Sequence, residues 1–238
     1  VNIPVRQSLS VGKYAFRGAS INSVAINEDV SEISVDAYAF SSIKGKINTI
    51  RAFGKSMNGV WFVAENEDGA VNAVKTGTGI KATINGAMKT NGSVTVEKED
   101  ELVVATGAKL NIAAETTIKG KFTPETGSNV EKKDENVVFR AIAFTKDDFG
   151  EKNAYAEYTH RVIAADMDFT ENLVVNGEEF TINEGAKVTF SGDSYELSVN
   201  TFKVVTETGS SCTMSGKTLN AKGRLVGRIR VTENAAVT

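Results

Sequence analysis

The chain has 238 residues, 41% hydrophobic and 24% charged, with a net charge of −3. That balance supports a packed core, excludes wholesale disorder, and gives no electrostatic case for nucleic acid or an anionic membrane as the main partner. One cysteine and one histidine exclude an internal disulfide, a cysteine-based zinc site and a multi-histidine metal site, and no apolar run approaches the ~20 residues of a membrane-spanning helix.

In chain order, "VNIPVRQSLSV" reads as an extended N-terminal arm over 1–11, because Pro4 disfavours helix and suits an edge strand. The chain begins at Val1 rather than Met, which points to processing: loss of an initiator Met, a signal sequence or a pro-segment. Tyr14 and Phe16 in "GKYAFRG" share a face and are placed to anchor the arm, on this subunit or a neighbour. "DAYAFSSIKGKINTIRAF" is ambiguous, with Gly45 and its β-branched residues favouring strands. Trp61, the sole tryptophan, sits in the apolar run "GVWFVAE", which argues for burial over an exposed binding platform.

Turn signals then recur every 8–12 residues. Asn58-Gly59, Asp68-Gly69, Asn85-Gly86, Asn91-Gly92 and Asn176-Gly177 each suit the positive φ of a tight hairpin turn. "KTGTGIK" lacks the third glycine of a dinucleotide fingerprint and the Gly-Lys-Ser/Thr of a phosphate loop, so it is a turn as well. Between the turns, apolar residues alternate: Val94 and Val96, Leu102 and Val104, Leu110 and Ile112, Ile118 and Phe122, then Tyr195, Leu197 and Val199. Period two is the mark of half-buried strands. The polar stretch 124–136, containing Pro124, reads as a long exposed loop or as a linker between two domains. "NVVFRAIAF" reads as a strand buried on both faces. "DDFGEKNAYAEYTHRVIAADMDF" fits either a helix, through Tyr155, Tyr158, Val162 and Ala165, or a strand through "YTHRVIA".

The expected fold is therefore all-β: an antiparallel sandwich of jelly-roll or barrel type over 12–238, or two domains divided near 124–136, with at most one or two short helices. Catalytic signatures are weak. His160 has no Gly-flanked serine elbow to pair with, and the acidic pairs suit solvated turns. Asp166, Asp168 and Glu171 in "DMDFTEN" are the best candidates for a structural calcium ion, with Asn66, Glu67 and Asp68 as a second oxygen-rich turn. No other cofactor is expected, and Cys212 reads as a small, semi-buried strand residue.

A β-rich chain with balanced charge suits a non-enzymatic, self-assembling structural subunit of a virion or an extracellular filament. Its partners would be copies of itself, joined by terminal strands lent from 1–11 and 228–238. The residues expected to carry assembly are Ile3, Val5, Leu9, Val11, Tyr14 and Phe16 at one end and Ile229 and Val231 at the other. The competing expectation is a monomeric carbohydrate- or ligand-binding module with an exposed aromatic patch.

Overall fold

The computed structural model describes residues 2–3, 7–22, 24–26, 30–40, 47–48, 61–149, 158–183, 185–206, 209–215, 218–231 and 236–237. The chain divides into two compact units, 1–137 and 138–238. In the first lie β1 (Asn2–Ile3), β2 (Ser8–Val11), β3 (Val24–Ile26), β4 (Glu32–Val35), β5 (Ile47–Asn48), β6 (Phe62–Ala64), β7 (Ala70–Thr76), β8 (Gly79–Asn85), β9 (Ala87–Thr90), β10 (Val94–Val96), β11 (Glu101–Val104), β12 (Lys109–Ile112), β13 (Thr116–Ile118), β14 (Lys121–Pro124) and β15 (Asn129–Lys132). The second holds β16 (Phe139–Ala143), β17 (His160–Ile163), β18 (Met167–Phe169), β19 (Leu173–Ile182), β20 (Lys187–Phe190), β21 (Ser194–Val204), β22 (Ser211–Met214), β23 (Thr218–Val226), β24 (Ile229–Val231) and β25 (Ala236–Val237). Helical conformation among these residues is limited to the 3-10 turn Lys146–Phe149 and to Thr206.

All-β is right; the antiparallel sandwich, jelly roll or barrel is not. The fold is a β-solenoid. Most strands pair in parallel with the equivalent strand of the next coil: Glu101 lies beside Lys81 on one side and Lys121 on the other, and Phe202 lies between Phe180 and Leu225. Register partners on successive coils lie from 17 residues apart (Cys212 and Ile229) to 24 apart (Ser8 and Glu32), the period of a repeat architecture. Alternation in sequence cannot tell the two arrangements apart, because a solenoid strand also points alternate side chains inward. The glycine turns misled for a related reason. Gly86 (φ +60) bends the chain between β8 and β9, which belong to different sheets, so it is a corner and not a hairpin. Asn176-Gly177 does not turn at all; it lies inside the ten-residue β19, beside Ser198 and Val199 of β21. Asn58-Gly59 lies outside the described residues.

In the first unit the parallel stacking is interrupted at β6 and β7, which run against their sheet neighbours. β2 pairs in parallel with β4, then β4 pairs antiparallel with β7. The two-residue loop Gly77–Thr78 joins β7 and β8 as a hairpin, so the "KTGTGIK" turn stands. From β8 onward the sheets β8-β11-β14 and β9-β12-β15 run in parallel. The segment read as a free arm is part of this unit: β1 pairs with β3, and β2 with β4. In the second unit, β16, β17, β19, β21, β23 and β25 follow one another across one sheet, and β18, β20, β22 and β24 across another. Of the helix candidate, 150–157 lie outside the described residues and His160–Ile163 is strand. The stretch 124–136 is no structureless loop, since Asn129–Lys132 pairs with β12.

Stacking brings corners into close contact. A side chain on Gly79 would place its Cβ 1.8 Å from the Glu99 carbonyl oxygen, inside the turn of the next coil. That turn is fastened by Asp100, whose buried carboxylate accepts from the Ile80 amide at 2.9 Å, while its backbone carbonyl accepts from the Lys121 amide at 2.9 Å. Gly79→Ala is therefore expected to cost about 3 kcal/mol or more. Gly12→Ala, at a position with nothing within 4 Å, should stay within about 0.5 kcal/mol. Chemical denaturation of both variants checks the contrast.

Candidate functional site

Several of the buried polar side chains hold corners together. The Thr90 hydroxyl accepts from the amides of Ala113 (2.8 Å) and Ala114 (3.0 Å) on the following coil. Thr159 accepts from the Phe139 amide at 2.7 Å and donates to its carbonyl at 3.1 Å. The Tyr195 hydroxyl accepts from the Gly192 amide and donates to the Phe169 carbonyl. His160, the one imidazole, contacts this same Thr159 hydroxyl at 3.1 Å. Tyr158 is packed between the Phe139 ring (4.6 Å) and the Arg161 guanidinium (4.1 Å), and burial pushes its phenol well above the usual range. Cys212 is buried, which pushes its thiol up to about 12; a thiol so protonated is a poor nucleophile.

The expected calcium ligands are not gathered. Asp166 accepts from the Lys187 amide at 2.7 Å and Asp168 from the Ser191 hydroxyl at 3.0 Å, while Glu171 is exposed. Among the described residues no group of three His, Cys, Asp or Glu side chains is placed to hold a metal ion. Of the second turn, Asn66 accepts from the Asp68 and Ala87 amides, and Glu67 accepts from Tyr14. Trp61 is buried and lines a cavity of about 20 Å³ with Phe62, Ile80, Ala82, Asp100 and Leu102, space for water and not for an organic substrate.

What remains is at the stack ends. In the first unit, β2 is the terminal strand of the sheet β14-β11-β8-β7-β4-β2. Val11 is buried, Leu9 half-buried, and Ser8 and Ser10 exposed. Beyond it Tyr14 stacks on Tyr38 (5.5 Å, 11°) and Phe16 on Phe40 (5.2 Å, 13°), two ring pairs that join the same two coils. Both tyrosines hold φ at +57, a left-handed conformation costing roughly 1–2 kcal/mol for a residue with a Cβ. Sequence reasoning saw Tyr14 and Phe16 but missed that Tyr-Ala-Phe recurs at 38–40 in the same structural position; this echo was the available signal of a repeat. Ile3 is in β1, paired with Ile26, and Val5 lies outside the described residues.

In the second unit, the inward columns simply stop. Phe180 and Phe202, both buried, meet edge to face at 5.4 Å, and Leu225, next in the column, is 49% exposed. Phe169, Phe190 and Met214 are buried, and Val231, next in theirs, is 47% exposed. Ile229 is partly buried against Cys212's column. Of the expected assembly residues, Ile229 and Val231 thus share an open end, and Leu225 belongs with them. Exposed Arg224, Arg228 and Arg230 line this end.

Charge is handled differently inside the stacks. Glu101 sits between Lys121 (3.0 Å) and Lys81 (3.9 Å) of the flanking coils and accepts from Thr123 at 2.8 Å. Burial pushes its carboxyl up, but the hydrogen bonds from Lys121 and Thr123 and the two lysine charges outweigh that and hold it below the usual range.

No protein-family model, no curated protein and no solved structure matches the chain.

Two outcomes follow from this geometry. Phe202→Ala should cost about 3–5 kcal/mol while Leu225→Ala costs about 1 kcal/mol or less, although the two share a column; denaturation midpoints compare them. Because Glu101's folded pKa is depressed, its ion-pair contribution is present above the ordinary glutamate pKa and lost as pH falls through the folded value. Glu101→Gln should therefore destabilise by up to about 1 kcal/mol at pH 7, and the difference should shrink steadily as pH is lowered below the ordinary glutamate range, measured by urea unfolding across that range.

Proposed function

We propose that the chain is a non-enzymatic structural subunit of a virion or an extracellular filament, joined to its neighbours through the open ends of its coil stacks. The observation that carries this reading is the pair of half-exposed column ends, Leu225 and Val231, in an otherwise tightly stacked core. Terminal strands left with unpaired backbone edges and apolar side chains are templates for another strand. The strand-lending version needs revision, because β2 already pairs with β4; the contact proposed is edge to edge, between copies of the chain.

Both ends are basic in sequence. Residues 1–27 contain Arg6, Lys13 and Arg17 and no acidic residue, and 208–232 contain Lys217, Lys222, Arg224, Arg228 and Arg230 and no acidic residue. Apolar contact between such ends works against like-charge repulsion, which salt screens. Self-association should therefore strengthen between about 0.05 and 0.5 M NaCl and disappear in the double variant Leu225→Lys/Val231→Lys, read by sedimentation velocity and negative-stain imaging. A wild-type chain that stays monomeric at high concentration across that salt range would sink the proposal.

One observation favours the second reading, a ligand-binding module. Tyr14 is half-exposed, is stacked on Tyr38 and carries the Arg17 guanidinium over its ring at 4.9 Å, an aromatic and cationic surface suited to a sugar or another ring. Loss of glycan-array binding on Tyr14→Ala would support it.

A further inference from the structure

We infer that the C-terminal edge formed by β23 and β24 docks an extended acidic segment of a partner protein, in which apolar residues alternate with Asp or Glu. The inference rests on the reading of this chain as an assembly subunit with an open C-terminal edge, and it assigns that edge an acidic segment as an occupant that competes there with a second copy. β25 pairs only with Thr218 and Leu219, so among the described residues Arg224–Val226 and β24 have no strand beyond them. The edge presents two chemistries in alternation. Leu225 and Val231 end the inward apolar columns, while Arg224 and Arg230 stand on the alternate positions. Arg224, Arg228 and Arg230 form no ion pair among the described residues.

The protein itself shows what fits such an edge. At the other end of the sheet that β24 closes, β18 reads Met167-Asp168-Phe169, and the columns run Met167–Val188–Cys212–Ile229, Asp168–Thr189–Thr213–Arg230 and Phe169–Phe190–Met214–Val231. A carboxylate and a cation therefore occupy the two ends of one outward column, flanked by apolar columns. Elsewhere the same parallel register seats Glu101 between two lysines. A strand of the pattern apolar–acidic–apolar beside Ile229–Arg230–Val231 extends the two apolar columns by one residue each and gives Arg230 a carboxylate in register. Its backbone would continue the sheet, as in β-strand addition, and its charge would steer the encounter.

The test is fluorescence anisotropy of the full 238-residue chain with a labelled peptide of about twelve residues alternating valine and glutamate, beside the same peptide with lysine for glutamate. The glutamate peptide should bind, weaken about tenfold or more between about 0.05 and 0.5 M NaCl, and weaken about tenfold or more with the Arg224→Glu/Arg230→Glu variant. These side chains are exposed, so the variant should keep the wild-type Tm and circular dichroism. It should bind the lysine peptide instead, and that reversal separates docking from damage. Equal binding of both peptides by the wild type, or binding of neither, overturns the inference. If neither binds while the chain alone self-associates more strongly with salt, the edge belongs to a second copy: the assembly reading stands and the acidic partner falls. Peptide binding by a chain that never self-associates gives the converse.

Discussion

Everything in this structure depends on parallel, in-register hydrogen bonding between successive coils. A solenoid strand obtains its backbone partners from the coil before and the coil after, not from a hairpin neighbour. This fixes register strongly, because a slip of one residue would send every inward side chain outward. It also stacks like on like. Phe169 lies on Phe190 with ring centroids 5.4 Å apart, close to the ~4.8 Å spacing of neighbouring strands, and Phe180 meets Phe202 at the same distance. The small and polar residues serve the corners. Gly79 leaves room for the Glu99 carbonyl, and Asp100, Thr90 and Thr159 supply the oxygens that bridge one coil to the next.

The same constraint explains where reactivity toward other molecules is concentrated. A stacked coil satisfies its neighbours and is satisfied by them; a terminal coil is satisfied on one side only. Leu225 and Val231 have the neighbours of core residues beneath them and solvent above. Arg224 and Arg230 occupy positions that, within a stack, would face the side chain one coil further on, as Lys81 and Lys121 face Glu101. The proposed function and the proposed acidic partner both follow from this one-sidedness, and they differ in sign of salt dependence because one contact is apolar and the other electrostatic.

Much of this was legible in the sequence, and the losses have identifiable causes. The strands around Val94, Leu102, Leu110, Ile118 and Phe122 were readable from alternation, as were the buried faces of Tyr195, Leu197 and Val199 and the burial of Trp61. Their partners were not, since period two is common to hairpins and solenoids. Asn85-Gly86 carried the turn chemistry of a hairpin and was used for a corner. Asn176-Gly177 carried the same chemistry and was used inside a strand, where pairing with Ser198 and Val199 of β21 overrides local preference. The one direct cue to repetition, Tyr-Ala-Phe at 14–16 and again at 38–40, is only three residues long, because what repeats here is side-chain size and direction and hardly residue identity. Exposure of Leu225 was invisible for another reason: alternation reports which face a residue points to, and not whether another coil lies above it.

The most direct test of coil stacking is a cross-link in a single outward column. Thr189 and Thr213 are register partners on adjacent strands, β20 and β22, at a spacing of about 5 Å that a disulfide can bridge. With Cys212 replaced by alanine, oxidised Thr189→Cys/Thr213→Cys protein should contain an intrachain 189–213 disulfide, seen by peptide mapping under non-reducing conditions. If the two thiols stay free, or bond only between chains, residues 187–190 do not lie beside 211–214 and the solenoid account is contradicted.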